Sequence, residues 1–199
     1  MSQVAVLFSR ADSVYKTMPG CDVWDIDRDA RKWPGGCPVV AHPPCRAWAS
    51  LRHKAKPRDG EKDLARWAVS QVRQWGGVLE HPQFSTLWRD QNLPEGQARD
   101  SFGGWTLYVH QHWFGHRAQK RTRLYVCGIR PQDIPDMPMK LGEATHTVGL
   151  WSGRDRETCR PSITKPEFEA TPPEFARWLV ELARRTRARA FEQQGEKAA

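Results

Sequence analysis

The sequence predicts an α/β protein built on a mostly parallel, Rossmann-like sheet with helices on both faces. Three observations carry this. Val4-Ala5-Val6-Leu7-Phe8 and Val39-Val40-Ala41 are short apolar runs rich in β-branched residues, the composition of strands buried on both sides. Residues 59–75 and 171–189 open with apolar side chains at helical spacing, so each offers one face to a sheet. The run at 39–41, the helical stretch at 59–75 and the run Val78-Leu79 follow in the order of a strand–helix–strand unit with parallel strands. A chain of 199 residues suits one domain. We place that domain at 1–190, with a small insertion at 131–170 and a flexible tail at 191–199.

The first strand, Val4 to Phe8, leads into Ser9-Arg10-Ala11-Asp12-Ser13. Pro19-Gly20 marks a turn before a second strand over Asp22 to Asp27. There Asp25 and Asp27 alternate with apolar Trp24 and Ile26, so they are expected on one face near the strand's end. Carboxylates in that place commonly grip ribose hydroxyls, with solvated strand-end carboxylates as the plain alternative. The third strand runs into His42-Pro43-Pro44-Cys45-Arg46, and the prolines must end it. Cys45 is thereby presented just past the carboxyl end of a strand, where open α/β sheets bind ligands. An inert packing thiol is the alternative. Residues 46–58 carry Arg46, Arg52, Lys54, Lys56 and Arg58 and read as a mobile loop able to meet phosphates, or simply as a solvated charged loop.

In the helix at 59–75, Leu64, Trp67, Ala68, Val72 and Trp75 form the stripe, Asp59 can cap its start and Gly76-Gly77 ends it. The next strand, Val78-Leu79, stops at Glu80-His81-Pro82, which places Glu80 at the same sheet edge as Cys45. Residues 84–101 read as irregular connection. Trp105 to Trp113 alternates as a strand with Gln111 on the Trp105 face. His110 and His112 share the other face, but no acidic or cysteine ligand accompanies them and no metal site is expected. Gln119, Arg121 and Arg123 alternate at the start of a strand reaching Ile129. Two guanidiniums and an amide facing one way make a fork for a carboxylate, a phosphate or a base carbonyl, or else a solvated basic edge. Thr171 is expected to cap the last helix, with Pro172-Pro173 at its start and Phe175, Trp178, Leu179 and Leu182 as its stripe.

The net charge of +8 favours an anionic partner, DNA or a nucleotide, over generic surface charge. Ten tryptophans supply surface for core packing or base stacking. Five cysteines with no C-x-x-C pair and no signal peptide point to a reducing cytoplasm, and no run is long and apolar enough to span a membrane.

Taken in order, these residues resemble the DNA cytosine-5 methyltransferases. Leu7-Phe8-Ser9 is similar to the start of that family's first cofactor motif, and Asp25-Ile26-Asp27 with Ala30 to its acidic second strand. Pro43-Pro44-Cys45 resembles the Pro-Cys nucleophile motif and Glu80-His81-Pro82 the Glu-Asn-Val motif. Gln119-Lys120-Arg121-Thr122-Arg123 fits Gln-x-Arg-x-Arg, and Thr171-Pro172-Pro173 resembles the closing motif. Two departures stand out: Arg10-Ala11-Asp12-Ser13 replaces the glycine-rich turn, and about forty residues separate the arginine strand from the last helix, where the family carries a target-recognition region.

The resemblance implies a methyltransferase-like three-layer sandwich, with S-adenosylmethionine bound by Phe8, Ser9, Asp12, Asp25 and Asp27. It implies Cys45 as the nucleophile on C6 of cytosine, Glu80 as its partner at N3, and Arg121 and Arg123 holding the base carbonyl and orienting Glu80. Arg46, Arg52, Lys54, Lys56 and Gln119 would meet nucleic acid, and a duplex base would be flipped out. The compact form is similar to phage accessory proteins. As alternatives to that leading reading, the residues admit another one-carbon donor, a free pyrimidine nucleotide as substrate, or a non-catalytic nucleic-acid-binding or decoy protein on the same fold.

Overall fold

The apolar runs pair into one six-stranded sheet in the order β2-β1-β3-β4-β6-β5. A computed structural model describes residues 2–96, 98–148 and 160–188. In chain order the elements are β1 (Val4–Leu7), β2 (Cys21–Trp24), β3 (Val39–Ala41), α1 (Glu61–Trp75), β4 (Gly77–Pro82), α2 (Leu87–Asp90), β5 (Trp105–His110), β6 (Arg121–Cys127), α3 (Lys165–Glu169) and α4 (Pro173–Arg185). Strands β1 to β4 are mutually parallel where they pair, and β6 runs antiparallel to both β4 and β5.

Alternation along β1 distributes its side chains to two cores. Val4 and Val6 meet Phe175, Leu179 and Leu182 of α4, whereas Ala5 and Leu7 join Ala65, Ala68, Val69 and Val72 of α1. The result is a helix–sheet–helix sandwich. Gly77 makes the close approach of β4 to β3 possible: a Cβ there would lie 2.0 Å from the Val39 carbonyl oxygen, and its φ of 117° suits glycine. Among the described residues, no helix is long and apolar enough to cross a membrane.

Several element ends differ from the sequence reading. Helix α1 starts at Glu61 behind a left-handed Gly60, so Asp59 is not its cap. The cap position of α4 is Pro172 rather than Thr171. Strand β2 ends at Trp24, before either aspartate, because the Asp25 carboxylate accepts from the backbone N–H groups of Asp27 and Arg28 and turns the chain. Asp25 is consequently buried and Asp27 exposed, so the two do not share a strand face. Strand β5 ends at His110, and Gln111–Phe114 form a 3-10 turn closed by a left-handed Gly115. Strand β6 stops at Cys127 rather than Ile129. The region read as an insertion contains α3 and two isolated bridges, Ala118 to His146 and Thr147 to Ser162. The tail expected at 191–199 lies outside the described residues.

Candidate active site

The site forms where β3 and β4 end side by side. The His42 N–H donates to the Leu7 carbonyl at 3.0 Å, carrying the β1–β3 ladder one residue past β3. His42 also precedes Pro43, which restricts it to extended backbone. Pro43 and Pro44 then lead the chain away, and the Cys45 carbonyl accepts from Trp48 at 2.9 Å and Ala49 at 2.8 Å in a tight turn. Cys45 is half-buried at this bend. On β4, Glu80 lies opposite Leu124 and faces the α4 side of the sheet with Val78, while His81 faces the α1 side.

Glu80 is the centre of a polar network. Its Oε2 lies 3.2 Å from His42 Nδ1, and His42 Nε2 lies 2.9 Å from the hydroxyl of Tyr15, a buried side chain. Its Oε1 accepts from Gln111 Nε2 at 3.3 Å, and the same amide nitrogen donates to Thr122 Oγ1 at 3.0 Å. Lys120 closes the far side: its Nζ donates to the Ala170 carbonyl at 3.4 Å and stands 5.4 Å from the Phe168 ring.

Charge explains the ionisation of each group. Burial pushes Glu80 up, but the His42 hydrogen bond and the charge of Lys120 outweigh it and hold the carboxyl down at about 2. Burial and the Glu80 charge push the Cys45 thiol above its ordinary value, against the pull of Lys120 and Arg46. Burial lowers Lys120, opposed by Glu80 and Cys45. Burial and the nearby carboxylate raise Tyr15, so it remains a hydroxyl. At neutral pH the site therefore holds an ionised Glu80 beside a protonated Cys45.

The structure brings Cys45 and Glu80 together as the sequence predicts, but not the arginines. Arg123 and Arg121 do share a face, and it is the α1 face, opposite Glu80. Arg123 is buried there, donates to the Pro94 carbonyl at 2.6 Å and to Thr106 Oγ1 at 3.2 Å, and lies between the Trp88 and Tyr108 rings. Arg121 and Gln119 are exposed at the entry to β6. The groups that hold Glu80 are instead His42 and Gln111. Lys120, one residue out of phase with the arginines, is on the Glu80 side.

Arg52, Lys54 and Lys56 are exposed on the loop after Cys45, while Arg46 is tied to buried Glu61 at 2.9 Å. A cleft of about 630 Å³ opens between this loop and the first turn of α1, lined by Arg52, His53, Arg58, Lys62 and Arg66 with Asp59 and Asp63 among them. Leu51 and Phe84 are large apolar side chains left exposed on the segments that follow β3 and β4.

The residues expected to hold a cofactor lie farther along the same carboxyl edge, after β1 and β2. Phe8 has a left-handed φ of 61° and packs edge-on against Trp67, and Ser9 is buried. Asp12 is paired with Arg10, which also reaches Glu169. Asp25 is committed to Lys16 at 2.6 Å, so it is not open to a ribose; Asp27 is exposed and can serve. Among the described residues, no group of three or more His, Cys, Asp or Glu side chains is placed to hold a metal ion.

No protein-family model matches this sequence, and no match was found to a curated protein or to a solved structure.

Proposed function

We propose that the protein modifies C5 of a pyrimidine in DNA through a covalent adduct between Cys45 and C6. One observation carries this reading: a half-buried thiol at the end of β3 shares its electrostatic surroundings with an ionised glutamate at the end of β4 and a lysine. A perturbed cluster of that kind at the carboxyl edge of parallel strands is the pattern of a reactive site. The helix–sheet–helix sandwich, with one reversed strand, is compatible with the methyltransferase-like architecture the resemblance implies.

The addition step couples the two ionisation states. When Cys45 Sγ bonds to C6, the thiol loses a proton and the π electron pair of the C5–C6 double bond moves through the ring toward N3. Glu80, held at about 2, is too weak a base to store the thiol proton and relays it in the same step to N3, which becomes basic as the ring takes up charge, so no external acid or base is consumed. Lys120 remains a fixed positive charge beside the negative charge that develops. C5, now nucleophilic, can accept an electrophile while N3 gives its proton back to Glu80; the C5 proton then passes to solvent as the thiolate is expelled, and Cys45 regains its proton from Glu80, which restores the ring and the resting site. The donor in this proposal is S-adenosylmethionine, which when bound would supply a methyl group, with the Ser9–Asp12 turn and Asp27 as its contacts. Arg52, Lys54 and Lys56 would meet phosphates, and exposed Phe84 would offer a stacking surface to a base. A reducing cytoplasm belongs to the same proposal and suits the free thiols of Cys21, Cys37 and Cys45.

The addition step can be tested without knowing the donor. Reversible attack at C6 exchanges the C5 hydrogen with solvent, so incubation in D2O should erase the H5 proton resonance of cytosine. We expect exchange with an oligonucleotide and none with Cys45→Ser. DNA binding without exchange would sink the enzymatic reading and leave a binding protein. Exchange with a free nucleotide but not DNA would move the substrate class, and failure of S-adenosylmethionine to bind calorimetrically would require another donor.

A further inference from the structure

We propose that His42, braced by Tyr15, is the positioning residue that aims Glu80 at the base and governs its protonation. The inference rests on the reaction proposed above and assigns to these two side chains the part expected of Arg121 and Arg123, which lie across the sheet.

Three features converge on His42. Its backbone is fixed twice, by the N–H bond to Leu7 and by the following proline, so the ring is delivered to one place. Both ring nitrogens are engaged, Nδ1 by Glu80 at 3.2 Å and Nε2 by Tyr15 at 2.9 Å. The Tyr15 ring lies 5.4 Å from the imidazole, centroid to centroid, which limits its tilt.

The partners also decide the tautomer. With Glu80 ionised, a bare Nδ1 would set a lone pair against a carboxylate oxygen, so Nδ1 must carry the proton. Tyr15 then donates its O–H to Nε2. If the ring gains a second proton, the hydroxyl rotates and accepts from Nε2–H instead. The Tyr15–His42–Glu80 line thus tolerates both charge states of the ring without moving a heavy atom. The other ionisable groups acting on it are Cys45 on its own segment, Lys120 before β6, Cys21 of β2 beside Tyr15 and His81 across the sheet from Glu80, with Gln111 on the second oxygen of Glu80. A proton on His42 favours ionised Glu80. A neutral ring makes Glu80 a stronger base for the proton relayed from Cys45.

Two measurements on the full chain test this. The first needs no substrate: imidazole 15N shifts should show a proton on His42 Nδ1, and a ring protonated on Nε2 alone overturns the proposal. The second follows the rate of C5–H exchange against pH. Tyr15→Phe preserves the ring and should bind DNA within about twofold of wild type while exchange slows about tenfold and its pH profile moves. His42→Asn should slow exchange by about a hundredfold and flatten the profile. Cys45-dependent exchange with unmoved pH profiles in both variants overturns the role of His42 alone. Absence of Cys45-dependent exchange in the wild type removes the pyrimidine reading, and this inference with it.

Discussion

Cys45 and Glu80 are held near each other in opposite protonation states, and this has consequences whatever the substrate is. Glu80 raises the thiol and Lys120 lowers it, so the two charges should have opposite effects on reactivity. Glu80→Gln should speed alkylation of Cys45 by iodoacetamide at pH 8, and Lys120→Met should slow it. Each change should be between about threefold and tenfold, the effect of removing one partly screened charge. Mass mapping of the Cys45 peptide distinguishes it from the other thiols. Equal rates in the two variants would show that neither charge reaches the sulfur. Cys45 and Glu80 could be read from the sequence because each follows a recognisable strand ending. The groups around Glu80 could not. Alternation places Arg121 and Arg123 on one side of β6 but does not say which side, and the helix they face is α1. Lys120 falls in the opposite phase, the one signal that could have marked it. Alternation does put Gln111 on the Trp105 face, which is the Glu80 side, but nothing in the sequence shows that its amide, carried on the 3-10 turn after His110, reaches Glu80.

At the scale of elements, the basic loop after Cys45 is pinned at both ends by one buried carboxylate. Glu61, 4% exposed in the first turn of α1, pairs with Arg46 at 2.9 Å and accepts from the Arg58 N–H at 3.3 Å. The loop's start is fixed again where Thr86 donates to the Trp48 carbonyl. Between these anchors Leu51–Lys54 and Lys56–Arg58 are exposed. Glu61→Ala removes the clamp and leaves the guanidinium of Arg46 in solvent and the Arg58 N–H without its carboxylate. We expect trypsin to cleave at Arg52, Lys54 or Arg58 about ten times faster in that variant, with far-UV circular dichroism unchanged. Unchanged cleavage would mean that the Trp48 anchor alone orders the loop. The strands β1 and β3 and the helices α1 and α4 were legible because apolar periodicity is dense there. Element ends were less so, since they are set by tertiary bonds: the Asp25 turn that stops β2, and Gly60 in place of Asp59 at the start of α1.

Over the whole molecule, the sheet's mostly parallel character followed from the strand–helix–strand order, while the reversal of β6 depends on a connection whose composition carries no direction. That reversed strand packs beside β4 and helps bury two ionisable groups, Glu80 and His81, on opposite faces, and together they set the acid limit of the fold. Burial holds His81 neutral and lowers it to about 4 from 6.5, against the pull of Glu80 and the Pro44 backbone. In the unfolded chain it takes a proton near its ordinary value. Between pH 6.5 and 4 the unfolded state therefore binds more protons, and stability falls as pH falls. Glu80 adds a second limb of the same sign: its folded value of about 2 lies below an ordinary 4.5, so its contribution is complete above 4.5 and is lost on going down to 2. Each gap corresponds to a loss on the order of 3 kcal/mol, and the two are coupled because Glu80 also acts on His81. Neither His81 ring nitrogen has a well-formed hydrogen bond among the described residues, the Pro44 carbonyl acting on the ring only weakly, and the ring packs edge-on with Trp88. His81→Phe should consequently cost less than about 1 kcal/mol at pH 7 and abolish the upper limb. Urea unfolding at pH 7.0, 5.5 and 4.5 reads both effects. Wild type should lose stability steadily across that range and His81→Phe should lose clearly less, the remainder belonging to buried His116, which burial also lowers. If the variant falls as steeply as the wild type, the acid sensitivity has another source and His81 is not the buried base that limits the fold.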